Sequence, residues 1–81
     1  FVPDATAVDL AKIGPLVEHH PSFPKRTNVE FVTVQDRANM VMRIWERGSG
    51  ITMASGSGSC GSALAAMITD RVDRKVNVHL V

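Results

Sequence analysis

The stretch ASGSGSCGS at residues 54–62 is the part of the sequence best suited to bind an anion. Gly56 and Gly58 can adopt positive φ angles without steric penalty, so successive backbone N–H groups can face one point. Ser57 or Ser59 can cap a helix that follows. The first turn of such a helix adds unpaired N–H donors and a partial positive charge. The segment is therefore predicted either to bind a carboxylate or a phosphate, or to act only as a structural cap.

Three other interpretations of this segment are weaker. Its spacing G-x-G-x-x-G matches a dinucleotide-binding turn, but that turn belongs to a parallel βαβ unit, and the residues before the glycines predict a hairpin. A flexible linker would join two domains, whereas this segment leads directly into an apolar helix. The G-x-S-x-G pattern of a nucleophile elbow does not occur in the sequence.

Polar residues at predicted strand ends are the second set of candidates. Glu46 and Arg47 lie where a strand ends and the glycine segment begins, so both could reach a ligand at the helix start. The guanidinium of Arg47 could pair with a second carboxylate through two parallel hydrogen bonds. Asn28 opens an earlier strand and, taken alone, is typical of a turn. For Glu46 and Arg47 the alternative is an ordinary solvated strand end, which is the more common case.

The elements that position these residues follow from hydrophobic periodicity. Residues 28–35 and 40–45 are rich in β-branched, aromatic and apolar side chains, and the turn residues 36–39 between them predict an antiparallel hairpin. Residues 9–19 show helical spacing, which Gly14-Pro15 is expected to divide into two short turns. Pro21 and Pro24 follow.

The second half of the sequence predicts one helix and one strand. Residues 59–69 are apolar nearly all round, a pattern typical of a buried helix, and residues 76–81 alternate like a strand. Trp45 is expected to pack between strand and helix. The sequence therefore predicts an α+β fold with a largely antiparallel sheet around a central buried helix.

Composition excludes several classes of function. Nine basic and eight acidic residues are well mixed and give a net charge of +1, so no broad field attracts nucleic acid or a membrane surface. No apolar run approaches the length of a membrane span. A single cysteine excludes an internal disulfide and favours a reducing cytoplasm. The spacing of the three histidines matches no metal site.

Three segments stand out in combination: PLVEHHPSFPKRTNVEF (15–31), RIWERGSG (43–50) and ASGSGSCGSALAA (54–66). In this order they resemble the C-terminal half of diaminopimelate epimerases. The resemblance implies that residues 1–81 are a partial C-terminal domain. The family fold that it implies has two similar halves, each a sheet wrapped around a central helix, with the substrate between them.

The resemblance also implies a reaction. Such enzymes interconvert LL- and meso-diaminopimelate in the synthesis of lysine and peptidoglycan precursors. They use no cofactor and do not need pyridoxal phosphate. Two groups on opposite faces of the α-carbon move the proton. By resemblance, Asn28, Glu46 and Arg47 contact the substrate, and Gly56 and Ser57 present backbone N–H groups to its α-carboxylate. Glu46 would also act in catalysis, beside a histidine of a Gly-Asn-Pro-His stretch expected before Phe1.

Ser55 departs from the family pattern. It occupies the position of the catalytic cysteine in the motif A-C-G-[ST]-G, and a hydroxyl is a far weaker acid than a thiol. Proton transfer should therefore be severely impaired. The serine indicates an engineered variant that traps substrate, or a natural relative with changed or lost activity. Cys60, five positions later, is interpreted as a small buried apolar side chain.

Several expectations about partners follow from the resemblance. The expected ligand is diaminopimelate, and the missing N-terminal half is expected to complete the site. A homodimer is compatible with the sequence. Neither nucleic acid nor a membrane is an expected partner. The sequence begins and ends as though strands were cut, which indicates a fragment. The alternatives are a non-catalytic module that binds a carboxylate or phosphate, a related racemase acting on proline, hydroxyproline or histidine, and a structural fragment without a ligand.

Overall fold

The computed structural model describes residues 1–48, 50–52 and 56–81, with the backbone alone at 51, 52, 56 and 57. Within these residues, a short 3-10 helix precedes two α-helices and four strands. In chain order these elements are the 3-10 helix Ala5–Ala7, α1 Leu10–Glu18, β1 Val29–Asp36, β2 Asn39–Glu46, β3 Gly50–Thr52, α2 Gly56–Ile68 and β4 Asn77–Leu80.

The hairpin of β1 and β2 is the centre of the sheet. The two strands are antiparallel, with Val29 opposite Trp45 and Val34 opposite Met40. Asp36 closes the turn, because its carboxylate accepts hydrogen bonds from the Ala38 N–H at 2.8 Å and from the Asn39 side chain. Both strands lie within one residue of the bounds that alternation predicts, and the antiparallel pairing is confirmed.

The other edge of β2 is shared by two short strands. β4 runs parallel to residues 39–42, and β3 runs antiparallel to residues 44–46. β2 is therefore a central strand along its whole length. This explains why its alternate side chains Met40, Met42 and Ile44 are almost completely buried.

Helix α2 packs on the sheet through small residues. Gly58, Ser62 and Ala66 are buried and four residues apart, so they form one face of the helix. The hydroxyl of Ser62 donates a hydrogen bond to the sulfur of Met42 at 3.3 Å, and Ala66 lies in the core with Val32. The α+β fold is confirmed.

Two predictions about burial on α2 are wrong. The helix is not buried on all sides, because Leu64 and Ile68 are 58% and 75% exposed. The buried face of the helix is formed by small residues, with Met67 packed beside it against the core. Cys60, interpreted as a buried apolar side chain, is also exposed.

The predicted break in α1 is wrong as well. The helix continues through Pro15, whose carbonyl accepts a hydrogen bond from the His19 N–H at 3.0 Å. A proline ring normally clashes with the Cβ of the preceding residue in a helix, but that residue is Gly14. Gly14 thus removes one of the contacts that disfavour a helix before proline, and the helix is continuous from Leu10 to Glu18.

The described residues contain neither a membrane-spanning helix nor a cluster of metal ligands. Within the residues described, neither helix is long and apolar enough to cross a lipid bilayer. Among the same residues, no three His, Cys, Asp or Glu side chains are grouped so that they could hold a metal ion.

Gly14 also lets α1 approach Trp45. A Cβ atom at Gly14 would lie 2.8 Å from the Trp45 Cβ and closer still to its ring. Trp45 therefore packs between its strand and α1, which confirms that it lies between strand and helix.

We expect Gly14→Ala to lower the free energy of unfolding by about 1–3 kcal/mol, because the added methyl forces α1 away from Trp45. The measurement is urea denaturation of the 81-residue chain. Gly61→Ala is the matched control, since nothing lies within 4 Å of a Cβ there and alanine favours the helix. A Gly14→Ala protein at least as stable as the control would contradict this packing.

Candidate functional site

The predicted site residues Asn28, Glu46 and Arg47 lie together. They line one hollow of about 370 Å³ with Arg26 and Thr27. The hairpin register explains the arrangement, because Val29 pairs with Trp45 and so brings the start of β1 beside the end of β2. Residues far apart in sequence thus meet at one end of the hairpin.

A hydrogen bond joins Asn28 to the backbone of Arg47. The Asn28 Oδ1 accepts from the Arg47 N–H at 2.7 Å, and the Arg47 Nη1 donates to the Lys25 carbonyl at 3.4 Å. Because the oxygen of the Asn28 amide faces the protein, its NH₂ end is the one available to a ligand. Asn28 therefore both shapes the hollow and offers donors in it.

Arg26 is a lining residue that the sequence analysis missed. Its φ of 64° lies in the left-handed region, and its N–H donates to the Phe23 carbonyl at 2.8 Å. Two guanidinium groups, from Arg26 and Arg47, thus share the hollow with the Glu46 carboxylate. A ligand with both anionic and cationic groups suits this set. The basic pair Lys25-Arg26 beside Asn28 was the available signal.

Behind the hollow lies a buried carboxylate, also missed. Glu18, at the end of α1, is only 4% exposed. Its Oε1 accepts from the Trp45 Nε1–H at 2.8 Å, and its Oε2 accepts from the Gly48 N–H at 3.2 Å. The bond from Trp45 lowers the pKa of Glu18 despite its burial. The carboxylate is therefore ionised at neutral pH.

The glycine segment differs from its predicted form. α2 begins at Gly56, three residues earlier than predicted, so Gly56, Ser57 and Gly58 are helical. The described glycines with positive φ are Gly48 and Gly50 instead. A loop cradle of left-handed glycines and a cap by Ser57 or Ser59 are therefore wrong. Gly56 and Ser57 lie in the first helical turn, where N–H groups are free of intrahelical partners.

Ser55 lies outside the described residues. Its proposed role in proton transfer rests on the sequence.

A second groove, of about 330 Å³, lies between α2 and the N-terminal segment. Its lining residues are Phe1, Glu30, Val32, Gly58, Gly61, Ser62 and Ala65. Burial raises the pKa of Glu30.

Comparison with known proteins identifies the family to which this chain is similar. Residues 1–81 match the family model described as diaminopimelate epimerase. The chain belongs to the diaminopimelate epimerase family. It is 55% identical over 80 residues to the diaminopimelate epimerase of Moorella thermoacetica and 54% identical to diaminopimelate epimerase 1 of Nostoc sp.. These alignments cover 99% of this chain but only 29% of either relative.

The resemblance stated from the sequence is thus confirmed at the level of the family. The relative of Desulfitobacterium hafniense, also a diaminopimelate epimerase, is 49% identical over 99% of this chain. The chain spans less than a third of the length of these relatives.

We expect Asn28→Ala to lower the free energy of unfolding by about 1 kcal/mol, because the Arg47 N–H loses its acceptor. Asn28→Asp keeps an oxygen in the same place and should lose less than half as much. Urea denaturation of the 81-residue chain measures both. Equal stability of Asn28→Ala and the unchanged chain would show that the bond does not hold the hollow.

Proposed function

We propose that this chain forms the substrate-binding part of one half of an enzyme that interconverts LL- and meso-diaminopimelate. The proposal rests on one observation: Asn28, Glu46 and Arg47 line the same hollow at the end of the hairpin. Diaminopimelate has a carboxylate and an ammonium group at each end. A hollow with guanidinium, amide and carboxylate groups matches that alternation of charge.

Four of the five lining residues have roles that fit their chemistry. Arg47 pairs with a carboxylate of the substrate, and the NH₂ group of Asn28 donates to it. Glu46 attracts an ammonium group, and by resemblance it works with a histidine outside this chain. Arg26 adds a second positive charge to the same hollow.

The N-terminus of α2 supplies the electrostatic part of the reaction. When a base removes the α-proton, negative charge develops on the adjacent carboxylate. The N–H groups of Gly56 and Ser57, in the first turn of α2, would stabilise that charge where it forms. Without pyridoxal phosphate, such electrostatic stabilisation carries most of the work of holding the carbanion.

Proton transfer requires two groups on opposite faces of the carbon. One group takes the α-proton as the other delivers a proton, so the atoms balance and only the configuration changes. In this half of the enzyme, Ser55 occupies the position of one of these two groups, and its hydroxyl is a much weaker acid than a thiol. We therefore propose that substrate binding is retained and proton transfer is slow.

We also propose that the enzyme acts in the cytoplasm. The only cysteine, Cys60, is a free thiol, and a chain with one unpaired cysteine suits a reducing compartment.

Replacing Ser55 by cysteine should raise the rate of α-proton exchange by about 100-fold or more, the range of general acid–base catalysis. The protein for this test is the Moorella thermoacetica relative with its matching segment replaced by these 81 residues. Exchange of the α-proton of diaminopimelate in D₂O is followed by NMR.

Ser59→Cys is the control, because it adds a thiol three residues inside the helix and should leave the rate unchanged. Equal rates with Ser55 and Ser55→Cys would contradict the role of this position. Calorimetric titration of the same protein separates the alternative function: binding of meso-diaminopimelate supports an epimerase site, and binding of phosphate alone supports a non-catalytic anion module.

A further inference from the structure

The carboxylate of Glu18 holds the residues on both sides of Glu46-Arg47. The Trp45 indole, which donates to one of its oxygens, comes directly before this pair, and the Gly48 N–H, which donates to the other, comes directly after it. We propose that Glu18 is a positioning residue that fixes Glu46 and Arg47 for substrate binding. The inference rests on the proposed function only for its kinetic readout.

The groups around Glu18 leave the held segment little freedom. The Trp45 ring lies against Gly14 of α1, and a Cβ added at Gly50 of β3 would lie 3.5 Å from the same ring. Gly48 has a φ of 77°, in the left-handed region that glycine adopts without steric penalty, where the chain leaves β2. The dipeptide between these anchors is also bonded through the Arg47 N–H to Asn28.

Only a carboxylate satisfies both donors. The indole N–H and the backbone N–H each need an acceptor, and ionised glutamate offers two acceptor oxygens. Glutamine offers one oxygen and one NH₂ group, so one donor would face another donor. Because Glu18 is nearly inaccessible to solvent, water cannot easily replace the lost acceptor, and an unsatisfied buried donor is costly.

Two basic side chains lie near the Glu18 carboxylate. The His19 imidazole lies 3.8 Å from its Oε1, and the charge of Arg26 also lowers the pKa of Glu18. Arg26 lines the hollow as well. Neutralising Glu18 should therefore disturb the hollow in two ways, through the position of Glu46-Arg47 and through the electrostatic surroundings of Arg26.

The test uses the Moorella thermoacetica chimaera described above in its Ser55→Cys form. We expect Glu18→Gln to raise KM for diaminopimelate at least tenfold. Hydrogen exchange at residues 46–48 should rise at least tenfold as well, with protection of β1 unchanged. Trp45→Phe removes one of the same two hydrogen bonds. The variant that combines Glu18→Gln with Trp45→Phe should therefore have a KM and an exchange rate at 46–48 no higher than those of the more affected single variant.

Val72→Ala is the control for general destabilisation. Val72 is buried in the core cluster with Met40 and Ala66, so this change should lower the melting temperature while leaving KM within twofold. Glu18→Gln with exchange at 46–48 and KM both unchanged would overturn the inference. Faster exchange at 46–48 in a chimaera without epimerase activity would support the positioning role and count against the proposed function instead.

Discussion

The hydrogen bond from the Trp45 indole to the buried Glu18 carboxylate is the constraint on which the site depends. It joins the last turn of α1 to the end of β2, two elements that are far apart in the sequence. With the second bond from Gly48, it fixes the chain just where the hairpin delivers its charged residues. The ionised carboxylate contributes stability above the pKa of an unfolded glutamate, and that contribution is lost as the pH falls through the lowered pKa of the folded state.

Small residues make the close approach of both helices possible. Gly14 lets α1 reach the Trp45 side chain, where any Cβ would overlap it. On α2, Gly58, Ser62 and Ala66 form the face that meets the sheet. The small side chains leave room for the sheet or for Trp45 to lie close to each helix. Two large apolar side chains of α2, Leu64 and Ile68, are exposed in this chain, whereas Met67 packs against the core.

Local pattern predicts the strands well and the helix ends poorly. The alternation over β1 and β2 places the hairpin to within one residue, because alternate side chains have opposite environments. The start of α2 is missed because glycine and serine have low helix propensity, and packing of Gly58 against the sheet overrides it. Motifs bring Asn28, Glu46 and Arg47 to notice, whereas Glu18 is invisible because both its partners are about 30 residues away in sequence.

The resonance of the Trp45 indole N–H tests the Glu18 bond most directly, since Trp45 is the single tryptophan of the chain. NMR should show an indole proton that exchanges slowly with water. Its chemical shift should stay constant from neutral pH down to about pH 5 and change only below the ordinary glutamate pKa of 4.5, as Glu18 is protonated. An indole proton that exchanges rapidly and whose shift does not depend on pH would contradict the central role of this bond.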